Sequence, residues 1–310
     1  MIFDGDFLAS IQEAIKTKNK DFFLSRLAPK KRTVKNRPFS SALMVSAHRP
    51  EHLNKLDEID ADAAIINLED GVAPEYKEVA LLAAAFFIQH APEKSPLLVV
   101  RINPLEHGGK KEIAFLNDYY PDAVRVPKIR HKDEIVEAGN LIKEPIALHV
   151  SIETKEAFSN MQELSHSRIK AFYLGILDLL ADLGIPQKVL KIKNPTIDYI
   201  LSHFLIQSRA LDVLPVSFVY QDYQDLEEFE EWCRYEADMG FSAKACISPK
   251  QVQIVNRILK RFDIERALYI KERFEQMAAQ GITGFADERY GFIDEPIYKD
   301  ALNILSNNAH

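Results

Sequence analysis

The sequence predicts an α/β fold of the (β/α)8 TIM-barrel type, with an N-terminal helical extension and a C-terminal helical lid segment. Eight short apolar runs, often β-branched, alternate with longer amphipathic stretches. Such alternation implies parallel strands joined by helical crossovers, and eight is the strand number that closes a barrel. A doubly wound open sheet ranks second, because no Gly-rich phosphate fingerprint follows the first run.

The elements follow in order. FLASIQEAIKTKNKDFFLSRL carries Phe7, Ile11 and Ile15, then Phe22, Phe23 and Leu27, at helical spacing. It reads as a helix packed on the barrel or on a neighbouring subunit. The basic stretch PKKRTVKNRP behind it reads as a solvated linker, or as a basic arm that meets an anionic ligand or partner. The strand runs are SALMVS from Ser41, AAIINLE from Ala63, LLVVRIN from Leu97, AVRVPK from Ala123, IALHVSIE from Ile146, KAFYLGIL from Lys170, PVSFVY from Pro215 and KACIS from Lys244. Between them, PEYKEVALLAAAFFIQHA, KDEIVEAGNLIK, TIDYILSHFLIQSRAL and DLEEFEEWCRYEADMG have helical periodicity. The expected organisation is an N-terminal helix and linker over 1–40, the barrel over 41–260 and a lid extension over 261–310.

Composition narrows the function. The 310 residues are 47% hydrophobic and 27% charged, as in a soluble globular protein, and a net charge of −7 argues against nucleic-acid binding. No apolar run reaches membrane-span length, and the start MIFDGDFLASIQ lacks the pattern of a signal peptide. Cys233 and Cys246 have no metal or redox spacing, which fits reduced, buried thiols and a cytoplasmic location.

Side chains alternate along a strand, and a barrel keeps its chemistry at the C-terminal strand ends. In IALHVSIE the apolar set Leu148, Val150 and Ile152 should meet the helices, so His149, Ser151 and Glu153 face inward. The same rule turns Arg101 and Asn103 inward in LLVVRIN. KAFYLGIL is followed at once by Asp178, AVRVPK ends in Lys128, and AAIINLE ends in Glu69 and Asp70. The recurrence of charge at strand ends is the signal. Glu153 and Asp178 could ligate Mg2+, which takes one or two carboxylates and completes its shell with waters and substrate. Each acid alone reads equally as a salt-bridge partner. Arg101 could clamp a substrate carboxylate, and His149 is expected to make a structural hydrogen bond.

Together these segments resemble the HpcH/HpaI aldolase/citrate lyase family, in its citrate lyase beta-subunit branch. The resemblance is carried by MVSAHRPEHLNKL, IINLEDGVAPEYK, VVRINPL, VRVPKI, SIET, LDLLADLG, ADMGFSAKACISPKQVQIVN and GFIDEP, from Ser41 to about Leu305. It implies a trimeric or hexameric barrel enzyme that makes or breaks a carbon–carbon bond in a 3-hydroxyacyl thioester (citryl-, malyl- or citramalyl-like) carried on coenzyme A or an acyl-carrier group. On this resemblance Glu153 and Asp178 match magnesium ligands and Arg101 matches a substrate-binding, activating arginine. Asp70 matches an acid beside the site. Asp294 matches a catalytic acid that relatives supply from a neighbouring subunit. Glu69, Lys128 and Arg49 are assigned to substrate binding.

Three departures stand out. Leu177 replaces a carboxylate of the family's EDLAADLG, Ser248 replaces the histidine of CIHP, and Ala47 with His48 replaces Gly and Asn of the PGN turn. Two alternatives accompany the lyase reading: an aldolase acting on free 2-oxo acids, and a catalytically weakened barrel serving as an assembly or ligand-binding subunit.

Overall fold

The computed structural model describes residues 1–29, 32–259 and 264–308. Lys30 and Lys31 of the basic linker therefore lie outside the described residues. The chain forms two compact units, Met1–Ile258 and Leu259–His310.

The first unit contains a closed barrel in which β1 (Ser41–Ser46), β2 (Ala63–Asn67), β3 (Leu97–Arg101), β4 (Ala123–Val126), β5 (Ala147–Ile152), β6 (Ile169–Leu174), β7 (Leu214–Ser217) and β8 (Ala243–Cys246) pair in sequence order. Every pairing is parallel, and β8 closes on β1. Each of the eight expected runs is a strand. The helices, in chain order, are α1 (Gly5–Lys16), α2 (Lys20–Leu24), α3 (Pro50–Leu53), α4 (Lys77–His90), α5 (Gly109–Leu116), α6 (Lys132–Leu141), α7 (Lys155–Ser159), α8 (Ile176–Asp182), α9 (Pro195–Ala210), α10 (Leu226–Met239), α11 (Pro249–Leu259), α12 (Ile264–Ala278) and α13 (Glu295–Asn308).

The barrel interior is filled by alternate residues of each strand. Ala42, Ala63, Ala123, Ala171, Ala243 and Ala245 are small, and they leave room for the large side chains of Phe39 and Tyr173. Phe39, two residues before β1, stacks on His149 and Tyr173 at centroid distances of 6.0 and 6.4 Å. The inward positions thus form a packed plug below the mouth.

Three expectations about elements are corrected. The N-terminal helical stretch is two helices: Lys18 is left-handed (φ 56°), and Asn19 caps α2 by accepting from the Phe22 N–H at 3.1 Å. A left-handed residue ends a helix by turning its carbonyls away from the axis. Both helices pack within the chain on α4, through Phe7 on Phe86 at 6.2 Å and Phe23 on Phe86 at 5.7 Å. This explains why α4 is apolar nearly all round, since one side meets the barrel and the other meets these phenylalanines. Second, Asp178 does not end a strand: β6 stops at Leu174, and Asp178 lies in the first turn of α8. Third, the C-terminal unit is not wholly helical. A hairpin of β9 (Gly284–Asp287) and β10 (Gly291–Asp294) lies between α12 and α13, and Phe274, Phe285, Ile293 and Ala301 form its core.

The linker serves the barrel's lower face. Arg32 Nη1 lies 3.1 Å from Asp122 Oδ1, and the Lys35 backbone N–H donates to the same oxygen at 2.7 Å. Asp122 Oδ2 in turn accepts from the Leu98 N–H at 2.7 Å, so the linker is tied to the start of β3 and β4. Among the described residues no helix is long and apolar enough to cross a membrane.

One buried ion pair joins helix to barrel. Lys244 Nζ, turned outward from β8, lies 2.6 Å from Glu236 Oε1 of α10, and both side chains are wholly buried. The Phe218 ring covers the ammonium at 4.1 Å. Removing one partner strands a charge in the interior, so Lys244→Met should destabilise the protein by about 3–5 kcal/mol in urea unfolding. Adding Glu236→Leu should restore most of that loss. If the double variant is no more stable than the single one, the pair is not the cause.

Candidate active site

The C-terminal ends of the strands surround a cavity of about 210 Å3, lined by Asp70, Arg101, Arg125, Glu153 and Asp178 together with apolar residues that include Leu177 and Phe218. Four of the residues expected at the site, Asp70, Arg101, Glu153 and Asp178, thus meet in one space.

Glu153 follows β5 directly and is 3% exposed. Two backbone features hold its carboxylate. The Lys128 N–H donates to Glu153 Oε1 at 2.7 Å, in a loop where Lys128 adopts a left-handed conformation (φ 56°). Such a conformation costs a β-carbon-bearing residue about 1–2 kcal/mol. On the other side, a Cβ at Gly175 would lie 2.5 Å from Glu153 Oε2 and 2.6 Å from its Cβ. Gly175 is therefore the residue that lets β6 turn into α8 against this carboxylate.

The Lys128 side chain closes the group. Its Nζ lies 2.8 Å from Asp178 Oδ1 and 4.0 Å from Glu153 Oε1. Burial pulls the Lys128 pKa down, but Glu153 and Asp178 outweigh it and the net direction is up. An ammonium thus stands between two carboxylates from neighbouring strand–helix junctions. Among the described residues no three or more His, Cys, Asp or Glu side chains converge as a metal site. The pair of carboxylates fits instead a hard divalent ion that keeps waters and takes substrate oxygens, as magnesium does.

Beside this pair, Arg101 Nη1 lies 3.1 Å from Glu69 Oε2, and Arg101 Nε donates to Asn67 Oδ1 at 2.7 Å. Asn67 also accepts from the Glu69 N–H at 3.1 Å, so one side chain sets the positions of both partners. Lys77 of α4 then anchors the loop, donating to the carbonyls of Leu68 and Glu69 at 2.7 and 2.6 Å and to Asn103 Oδ1 at 2.8 Å. The two acids of the LED stretch part here: Glu69 is buried at 4% exposure, whereas Asp70 is exposed at the rim. Burial raises the Glu69 pKa to about 7; Arg101 opposes the shift, and Glu153 and Asp70 add to it.

His149 makes the expected structural contact, with Nδ1 3.1 Å from the Tyr173 hydroxyl. Burial, helped by Arg125, lowers its pKa to about 3, so the ring is neutral. Of the replaced positions, Leu177 lines the cavity with an apolar side chain. The Ser248 Oγ accepts from the Gln251 N–H at 3.3 Å, and His48 Nδ1 sits 2.9 Å from Ser46 Oγ. Four expected site residues do not line this cavity: Glu69 and Lys128 reach it through their partners Arg101 and Asp178, and the other two lie elsewhere. Arg49 has a side chain 59% exposed, 3.9 Å from Glu51, and Asp294 belongs to the second unit, where it caps α13 by accepting from the Ile297 N–H at 3.2 Å. Reading the strand ends missed Asn67, Lys77, Gly175 and Arg125. The alternation in AVRV was the signal for Arg125, since it shares the inward parity of Ala123.

A parallel barrel with this mouth defines a class of enzyme-type scaffolds, and the sequence places it within that class. Residues 40–249 match the HpcH/HpaI aldolase/citrate lyase family, and the chain belongs to it. It is 26% identical over 223 residues to a (3S)-malyl-CoA thioesterase of Cereibacter sphaeroides, covering 71% of this chain and 77% of that one. It is 23% identical to the mitochondrial citramalyl-CoA lyase of Mus musculus, covering 87% and 86%. The citrate lyase beta subunit of Mycobacterium tuberculosis, solved with oxaloacetate and magnesium, superposes with a TM-score of 0.60 at 26% identity, covering 72% and 98%.

The Glu69 carboxyl gives a pH prediction for the metal-free protein. Its pKa is higher folded than the ordinary 4.5, so its contribution to stability is complete below that pH and is lost as pH rises through about 7. The stability of wild type relative to Glu69→Gln should fall by about 3 kcal/mol between about pH 5 and about pH 8. Urea midpoints that move in parallel for the two proteins would show that the carboxyl is unperturbed.

Proposed function

We propose that this protein is a magnesium-dependent carbon–carbon lyase that cleaves a 3-hydroxyacyl thioester, citryl-, malyl- or citramalyl-like, to an acyl thioester and a 2-oxo acid. The observation that carries the reading is the pair Glu153 and Asp178, sharing one cation seat beside Arg101 in a single cavity. Family membership and the lyases among the relatives support it.

Glu153 and Asp178 would hold the magnesium, which supplies Lewis-acid polarisation and a template for the oxygens of the 2-hydroxy acid. The remaining roles fall to the chain itself. Arg101, fixed by Asn67, donates to the carboxylate and steadies negative charge as it develops among buried side chains. Lys128 is one-third exposed, so its ammonium can leave the carboxylates and turn to the substrate. Asp70 lines the cavity, and its carboxylate makes no hydrogen bond or ion pair among the described residues, which suits it to take the hydroxyl proton. As that proton leaves, the hydroxyl carbon becomes the ketone of the 2-oxo acid and the bond to the thioester's α-carbon breaks. The electron pair passes to that α-carbon, which then takes up a proton. Asp294, supplied by a neighbouring copy in a trimer or hexamer, is the acid we assign to that carbon.

A second reading is thioester hydrolysis, favoured by the likeness to a malyl-CoA thioesterase. One assay separates them. A panel of 3-hydroxyacyl-CoA thioesters, with magnesium or with chelator, should release a 2-oxo acid from at least one member only when magnesium is present. Release of free coenzyme A and hydroxy acid without any 2-oxo acid would replace the lyase reading with the hydrolytic one. Glu153→Gln should weaken magnesium binding by about a hundredfold or more, and Gly175→Ala, which adds one methyl against that carboxylate, by about tenfold or more. Unchanged magnesium affinity in Glu153→Gln would remove the metal site from the account.

A further inference from the structure

Arg125 lines the cavity and has no part in the proposed chemistry. It comes from β4, paired in register with Arg101 of β3, and its side chain faces the barrel interior at 4% exposure. Its Nε donates to Ser151 Oγ at 2.9 Å, and its guanidinium lies 4.1 Å over the Tyr173 ring centroid. Its Nη1 is buried and hydrogen-bonds to nothing among the described residues, although Arg125 lines the cavity.

The nearby acids are engaged elsewhere. Glu69 pairs with Arg101, Glu153 accepts from the Lys128 N–H, and Asp178 meets the Lys128 ammonium. A buried guanidinium without a counter-charge is costly unless a ligand supplies one. Arg101 and Arg125 stand at paired positions of neighbouring strands and both line the cavity, and Glu69 neutralises only the first of them. The cavity's volume of about 210 Å3 admits a short acid.

We propose that Arg125 is a specificity-determining residue that binds a second carboxylate on the 2-oxo acid portion of the substrate. The preferred substrate is then citryl-like, and the released acid is a 2-oxo dicarboxylate. This deepens the lyase reading and rests on it: the first carboxylate and the hydroxyl belong to Arg101 and the magnesium seat, and Arg125 takes the anion that remains.

The test is calorimetric titration of the magnesium-loaded protein with freshly dissolved oxaloacetate and with pyruvate, acids that differ by one carboxylate. Oxaloacetate should bind about tenfold to hundredfold more tightly, the worth of one charge-assisted hydrogen bond. Arg125→Gln should weaken oxaloacetate to the level of pyruvate and leave pyruvate within about twofold of its wild-type affinity, a split that general structural damage would not give. Arg125→Lys keeps the charge and should keep part of the preference, which covers the case in which the glutamine variant does not fold. Equal binding of the two acids by wild type, or an equal loss of both in Arg125→Gln, overturns the role of Arg125 and leaves the lyase reading standing. A preference for oxaloacetate that persists with chelator keeps Arg125 and removes the metal from the reading. Binding of neither acid overturns both.

Discussion

The hydrogen bond from the Lys128 N–H to the Glu153 carboxylate is the fixed point of the barrel mouth. It requires the left-handed turn at Lys128, and that turn also brings the Lys128 ammonium to Asp178. It requires a glycine at position 175, because any side chain there would occupy the space of the carboxylate. Three successive strand ends are thereby tied to one charged group. The proposed metal seat, the position of α8 and the wall of the cavity all depend on it. A resident ammonium between two acids also explains how a pair of neighbouring carboxylates is tolerated before any divalent ion arrives.

The second part of the mouth is organised around the side-chain amides of Asn67 and Asn103. Asn67 receives Arg101 and the Glu69 N–H, while Lys77 and Asn103 clamp the loop that carries Glu69. Glu112, buried on α5, accepts from the Asn103 N–H at 2.7 Å and completes the chain of contacts. Glu69 is therefore held in place by partners that bind its backbone as well as its carboxyl, which allows the carboxyl to sit half-neutralised near neutral pH. Leu177 presents an apolar side chain to the cavity beside Asp178, and Arg125 brings a second guanidinium to it beside Arg101.

Much of this was legible in the sequence because it follows from periodicity. Eight apolar runs gave eight strands, and alternation along LLVVRIN and IALHVSIE placed Arg101 and Glu153 at the cavity. What was not legible depends on backbone geometry or on contacts between distant segments. Asp178 follows an apolar run whose last residues turn into a helix, and a strand and a buried helical turn look alike over so few residues. The break at Lys18 and the hairpin before Asp294 depend on left-handed residues that no periodicity marks, Lys18 in one case and Gly291 in the other. Asn67 and Gly175 act through a side-chain amide or a missing atom, which becomes visible only when β2 and β3, or β5 and β6, are side by side. Arg125 follows from the same alternation rule, whereas Lys128, three residues on, lies past the end of β4.

The central claim is that the Lys128 ammonium occupies a seat built for a divalent cation. Its most direct test is a calorimetric titration of magnesium into Lys128→Met beside wild type. Removing the resident charge while leaving the backbone N–H in place should make magnesium bind several-fold more tightly, since the two carboxylates lose their internal competitor. Weaker binding in Lys128→Met, or no magnesium heat in either protein, would contradict the account.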